Sequence, residues 1–237
     1  MTHAIELNQV WKFFGDYAAL RNCTLSISEG SCCALLGRNG AGKTTLLRIV
    51  SGLTTFQRGA VTLFGEKPRA ENARRQTGFL GHGIGVYEDL SARENLHFFA
   101  RITGARNFNK LAETWLERVG LAHVATMPVR QFSRGMRQRL ALARTFIHSP
   151  KILLLDEPFT SLDDRAIAML SDLLNEARAR GATIVLSTHQ LREALAIASH
   201  VALVENGRLC YTGERTQQML DDPALLYRLH TELGSPQ

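Results

Sequence analysis

The chain has 237 residues, of which 45% are hydrophobic and 21% charged, with a formal net charge of +6. These proportions describe a folded domain large enough for one sizeable core with a subdomain, and they exclude a disordered polymer. The longest apolar runs, CCALL and ILLL, fall far short of the roughly 20 residues that cross a bilayer, so any path through a membrane must come from other subunits.

No basic-then-apolar leader follows Met1, and nothing suggests secretion. Cys23, Cys32, Cys33 and Cys210 have no metal-ligand spacing. They read as small core side chains in a reducing cytosol, with the adjacent Cys32 and Cys33 on opposite faces of a strand. The positive charge suits nucleotides, acidic lipid or nucleic acid without choosing among them.

In chain order, AIELNQVWKFF and ALRNCTLSIS read as two strands around a turn at Gly15-Asp16. SCCALLG is a short apolar strand ending on glycine. KTTLLRIVSG is a helix burying Leu46, Leu47, Ile49 and Val50 and stopping at Gly52. GAVTLFG is another strand, and a short strand ends at GFLG. From about Gly83 to Pro150 the pattern is helical, with Ser91 and Glu94 spaced as a capping box. After it come the strand KILLLDEP, a helix from about Asp164 to Arg180, the strand ATIVLST, a helix through Leu195, and the strands VALVEN and RLCYTG. Strands alternating with helices predict an α/β fold with a largely parallel sheet covered on both faces, interrupted by a helical insertion. The tail after Gly213 is weakly patterned.

GRNGAGKT, Gly37 to Thr44, satisfies the phosphate-loop pattern between a strand and a helix. Its glycines let successive N–H groups curl around phosphate oxygens, Lys43 adds charge, and the Thr44 hydroxyl can ligate Mg²⁺. Asp156 and Glu157 end an apolar strand. Such a pair is ordinarily a solvated strand end, but beside a phosphate loop it suits holding a metal shell and polarising water. QFSRGMRQRLALAR reads either as a basic amphipathic helix capped by Ser133 or as a second phosphate grip.

Gly37–Thr44, Ser133-Arg134-Gly135, Asp156-Glu157, Ser161-Leu162-Asp163 and His189 occur in the order of an ABC-type ATPase, and the chain resembles that family from about residue 4 to residue 213. The resemblance implies a P-loop core over about 1–82 and 150–213 with an N-terminal antiparallel β-subdomain, a helical insertion over about 83–149 and a tail over about 214–237. It implies two copies of the domain sandwiching two ATP molecules with Mg²⁺. Gly37, Arg38, Asn39, Gly40, Ala41, Gly42, Lys43, Thr44 and Thr45 would hold the phosphates of one copy. Ser133 and Gly135 would reach the γ-phosphate of the other, and Asp163 would lie in the loop that crosses the interface. Phe14 matches the aromatic that stacks on adenine, its alternative being a half-buried strand residue. Glu157 matches the catalytic base, Asp156 and Thr44 the magnesium side, and His189 the residue that touches the γ-phosphate. The signature departs from the family's usual Leu-Ser-Gly-Gly-Gln, reading Phe132-Ser133-Arg134-Gly135-Met136.

The family has a glutamine where this chain has His82, in TGFLGHGIGVYEDLSARENL. GHGIG is not a dinucleotide loop, and a metal site there lacks partners at ligand spacing. The stretch reads as a hinge, with His82 as a catalytic and metal-side group. A protonated imidazole would be repelled by Mg²⁺, so hydrolysis should fall on acidification through about pH 6–7 more steeply than in His82→Gln.

The function implied is the ATP-hydrolysing subunit of a transporter, peripheral at the cytoplasmic face of the inner membrane and partnered by multi-span membrane subunits. No nucleic acid is expected; a soluble ATPase acting on nucleic acid or ribosomes and a non-hydrolysing regulator are the rival readings. Within the family, LGHG…VYEDLSARENLHFFARITG, FSRGMRQRLALARTFI and DEPFTSLD resemble the haem-exporter ATPases of cytochrome c biogenesis, with drug, lipid or multidrug exporters as the alternative.

Overall fold

The computed structural model describes residues 2–81, 85–105 and 107–233. Strands β1 (His3–Phe14) and β2 (Tyr17–Ser28) form the hairpin at Gly15-Asp16, with Phe14 opposite Tyr17. Ile5, Leu7 and Val10 of β1 are buried. Their alternation slips by one residue at Gln9, whose φ of 48° marks a bulge between Leu7 and Val10. β4 (Arg58–Leu63) pairs with the free edge of β1, completing a three-stranded antiparallel sheet in the order β2-β1-β4.

β3 (Cys32–Leu36) leads into α1 (Lys43–Val50), and α2 (Glu71–Arg75) precedes β5 (Thr77–Leu80). α3 (Ala92–Ile102), α4 (Phe108–Arg118) and α5 (Arg134–Phe146) follow. The α/β alternation then resumes with β6 (Ile152–Asp156), α6 (Asp164–Ala179), β7 (Thr183–Ser187), α7 (Leu191–Ile197), β8 (His200–Glu205) and β9 (Arg208–Glu214). The second sheet runs β5-β6-β7-β3-β8-β9, parallel except for the β8–β9 hairpin. This order sets the carboxyl ends of β3, β6 and β7 beside one another, the edge at which open α/β sheets bind ligands.

Every residue of β3, β6 and β7 is buried, as a strand covered on both faces requires. Period-two geometry divides them between two cores. Cys32, Ala34, Leu36, Leu153 and Leu155 join one, and Cys33, Leu35, Leu154 and Val185 the other. The two cysteines therefore do face opposite ways, and burial pushes each thiol up to about 12. The first core continues into Leu96, Leu116, Leu140 and Phe146, which seats α3, α4 and α5 on the sheet. Each such side chain contributes on the order of 1.5–3 kcal/mol when fully buried.

α3 opens with the predicted capping box: the Glu94 N–H donates to Ser91 Oγ at 3.2 Å, and the Ser91 N–H to the Glu94 carboxylate at 2.8 Å. Arg144 departs from the picture of a helix with a solvated basic face. Its guanidinium turns inward and donates to the carbonyls of Phe79 at 2.9 Å and Gly85 at 2.8 Å, tying α5 to β5. The weakly patterned tail also holds structure, α8 (Gln217–Asp221) and α9 (Leu225–Leu233). Both are short, and α8 buries only Met219, so neither writes a long amphipathic repeat into the sequence.

Candidate active site

The turn between β3 and α1 depends on glycine where the chain passes other backbone. Gly37 has φ 148°, and a Cβ there would stand 2.3 Å from the Val204 carbonyl oxygen. Gly42, φ 114°, is pressed equally close to Ala19 and Leu20, each 2.9 Å from a built Cβ. The loop between them curls ahead of the amino end of α1, where unpaired N–H groups and the helix dipole favour an anion.

Lys43 is buried, its ammonium donating to the Gly37 carbonyl at 2.7 Å and the Arg38 carbonyl at 3.2 Å. Burial lowers its pKa, partly opposed by the charges of Glu157 and Asp156. Thr44 Oγ1 donates to Asp156 Oδ2 at 2.8 Å, and the Ser187 hydroxyl to Asp156 Oδ1. The buried Asp156 carboxylate is thus hydrogen-bonded on both oxygens, as a charge removed from water must be. A hydroxyl and a carboxylate oxygen side by side are hard donors of the kind Mg²⁺ takes. No cluster of three or more His, Cys, Asp or Glu among the described residues could hold a metal. Mg²⁺ that draws most of its shell from phosphate and water needs none. The donor set fits the ion.

Glu157 is in left-handed backbone, φ 52°, a conformation costing a non-glycine residue on the order of 1 kcal/mol. Its N–H donates to the Ser187 carbonyl at 2.8 Å, and its Oε2 lies 2.9 Å from His189 Nδ1. The strained turn carries the carboxylate from the strand end into a cavity of about 630 Å³. Asn39 to Thr45, Glu157, His189 and Phe14 line that cavity. Phe14 is 54% exposed, with the Lys12 ammonium 4.7 Å from its ring centroid.

Tyr17, Arg48 and Thr160 also line the cavity and were not singled out from the sequence. The hairpin register held the signal for Tyr17, since a turn at Gly15-Asp16 sets it opposite Phe14. Ser133, Gly135 and Asp163 are not brought to the cavity. Ser133 caps α5, accepting from the Met136 N–H at 3.2 Å, and is exposed. Gly135 lies against the Ser161 carbonyl, 3.0 Å from a built Cβ. Asp163 caps α6 by accepting from the Ala166 N–H at 2.8 Å and borders a separate cavity with Arg139 and Arg165. His82 lies outside the described residues.

Residues 20–160 match the family model for the ABC transporter. The chain is 37% identical over 218 residues to a Nod factor export ATP-binding protein of Cupriavidus pinatubonensis, covering 90% of this chain and 67% of that one. It is 38% identical over 214 residues to a daunorubicin resistance ATP-binding protein of Streptomyces coeruleorubidus, covering 89% and 68%. Among solved structures it superposes on an ATP-binding subunit of an ABC transporter with a TM-score of 0.85 at 29% identity, over 98% of this chain and 95% of that one. It also superposes on a dimeric, post-hydrolysis ATP-binding cassette bound to ADP and Pi, with a TM-score of 0.80 at 25% identity, over 90% and 99%. The chain belongs to the ABC transporter family, as an ATP-binding subunit with an ABC-type ATPase domain.

Proposed function

We propose that this subunit powers an exporter, and that the cavity at the carboxyl ends of β3, β6 and β7 is its hydrolytic site. The observation that carries the reading is the meeting there of a glycine-built loop, a buried lysine and the Glu157–His189 pair. The N–H groups from Gly37 to Thr45 cradle the β- and γ-phosphates. Lys43 exchanges the Gly37 and Arg38 carbonyls for phosphate oxygens, a short swing for an ammonium already desolvated. Thr44 and Asp156 hold Mg²⁺, which when bound neutralises charge developing on the phosphoryl oxygens. Glu157 takes the proton of the attacking water, and His189, held through Nδ1, presents its other ring nitrogen to the γ-phosphate. Phe14 receives the adenine.

Ser133, Gly135 and Asp163 act on the nucleotide of a second copy, so the working unit is a homodimer of ATPase domains. The helical stretch over 83–149 is the insertion into a core of 1–82 and 150–213. Its exposed Tyr87, Phe98 and Ile102 meet the multi-span membrane subunits at the cytoplasmic face. No described helix is long and apolar enough to cross the membrane itself.

For the cargo, the resemblance of the stretches Leu80–Gly104, Phe132–Ile147 and Asp156–Asp163 to haem-exporter ATPases supports haem export for cytochrome c biogenesis. The relatives named for Nod factor export and daunorubicin resistance support a lipid or drug exporter. Deleting the gene and assaying covalent haem in c-type cytochromes separates the two: haem export requires its loss, and unimpaired cytochromes overturn that cargo. The ATPase reading has its own test, because hydrolysis by the purified chain should rise faster than linearly with protein concentration. A strictly linear dependence would remove the two-copy site.

A further inference from the structure

The turn between β8 and β9 stands where three stretches of backbone converge. Asn206 and Gly207 form it, both left-handed at φ 48° and 76°, with Glu205 and Arg208 paired across it. The Gly207 N–H donates to the Ala41 carbonyl of the phosphate loop at 2.9 Å. Its carbonyl accepts from the Arg21 N–H at 2.7 Å and from the Cys23 thiol at 3.2 Å, both on β2. A Cβ on Gly207 would stand 2.7 Å from the Ala19 carbonyl oxygen and 3.3 Å from the Leu20 Cα. One buried residue without a side chain therefore separates the phosphate loop from β2.

The two sides of this spacer are not held alike. β8 shares the six-stranded sheet with β3, Leu203 pairing with Leu36, and the Val204 carbonyl fills the space beside Gly37. The turn is thus fixed to the phosphate loop near both of its ends. β2 belongs to the other sheet, where it pairs Tyr17 with Phe14 and brings Tyr17 and Ala19 to the same cavity. An atom added at Gly207 would push β2, and the hairpin tip two residues from Ala19, rather than the loop.

We propose that Gly207 is a positioning residue, the spacer that sets the separation between the base platform at Phe14 and the phosphate loop and so matches the cavity to a nucleoside triphosphate; this rests on the roles proposed above for those two elements. A ligand that touches both elements senses their separation, and a ligand that touches the loop alone does not. ATP is of the first kind and inorganic triphosphate of the second.

The test measures binding of ATP and of inorganic triphosphate, each with Mg²⁺, by calorimetry on the full chain, with thermal unfolding alongside. Gly207→Ala should raise the ATP Kd about fivefold, the loss of about one base–aromatic contact, and change the triphosphate Kd less than about 1.5-fold. Asn206→Ala strains the same turn without bringing an atom towards β2, so it should lower Tm and leave both constants at the parent values. Cys23→Ala withdraws one weak donor from the Gly207 carbonyl and should raise the ATP Kd alone, about two- to threefold, with Cys23→Ser restoring it. Equal weakening of both ligands in Gly207→Ala, unchanged ATP binding, or the same ATP-specific loss in Asn206→Ala overturns the proposal. If Gly207→Ala does not fold, the Cys23 pair decides: ATP binding equal in Cys23→Ala and the parent overturns it. Phe14→Ala keeps the two readings apart, since it too should weaken ATP and spare triphosphate. If it does so and Gly207→Ala does not, only the spacer fails; if neither variant discriminates, the base platform fails as well.

Discussion

On the phosphate-loop side, Lys43 rests on Gly37, Thr44 on Asp156 and Glu157 on His189, each at 2.9 Å or less. At the amino end of α5, Ser133 and Arg134 face solvent, and the Ser133 hydroxyl accepts from the Met136 N–H of its own helix. The first region is assembled within one chain, because parallel strand order brings three loop ends together whatever else is present. The second presents helix N–H groups and a hydroxyl outward, beyond the cavity that holds the other residues. Yet the two regions are mechanically joined. Gln138 donates to the Pro158 carbonyl at 3.2 Å, and Gly135 touches Ser161, so α5 rests on the loop that follows Glu157. A displacement of α5 by a partner would be felt one residue from the proposed base.

The largest expected effect lies in the self-contained region. Glu157→Gln should still bind ATP and trap a dimer, with hydrolysis lowered at least about 100-fold, the usual contribution of a general base. Hydrolysis near the parent rate would move the base elsewhere and remove the meaning given to the strained backbone at this residue. Lys43→Ala should weaken ATP binding about 10- to 150-fold, since a charge-assisted hydrogen bond is worth about 1.5–3 kcal/mol. Titration calorimetry with the isolated subunit reads this directly, without requiring a second copy.

Ser133→Ala probes the outward-facing region. Loss of the cap should cost about 1 kcal/mol of stability. If the two regions differ as described, ATP binding at low protein concentration should match the parent while hydrolysis at high concentration falls about tenfold. Equal loss of binding at low concentration would place Ser133 in the cis site and erase the contrast.

Legibility followed the same division. The phosphate loop, the carboxylates at the end of β6 and the helix caps are contiguous in sequence, and each rests on a local geometric demand that only certain residues meet. The hairpin, both faces of the parallel sheet and the opposed cysteines followed from period-two patterning. The inward turn of Arg144 did not, because an arginine on an amphipathic helix looks the same whether it meets water or two backbone carbonyls 59 and 65 residues away. The docking of α9 was hidden for a related reason: nine residues carry too few apolar positions to announce a face, and the core that Leu226 joins is built from strands and helices distant in sequence.

Tyr17 offers the finest test of what the cavity recognises. Phe14 has the Lys12 ammonium over its ring, so a base stacking there shares that ring with a cation. Tyr17 is 61% exposed, stands opposite Phe14 across the hairpin, and lines the same cavity. If both rings bracket the base, Tyr17→Ala should weaken ATP binding about fivefold, near the low end of the range for one base–aromatic contact. Inorganic triphosphate, which lacks a base, should bind Tyr17→Ala and the parent alike. A parallel loss for triphosphate would mean that the hairpin shapes the phosphate loop through Ala19 and Leu20, the residues against which Gly42 is packed. Base recognition would then fall to Phe14 alone.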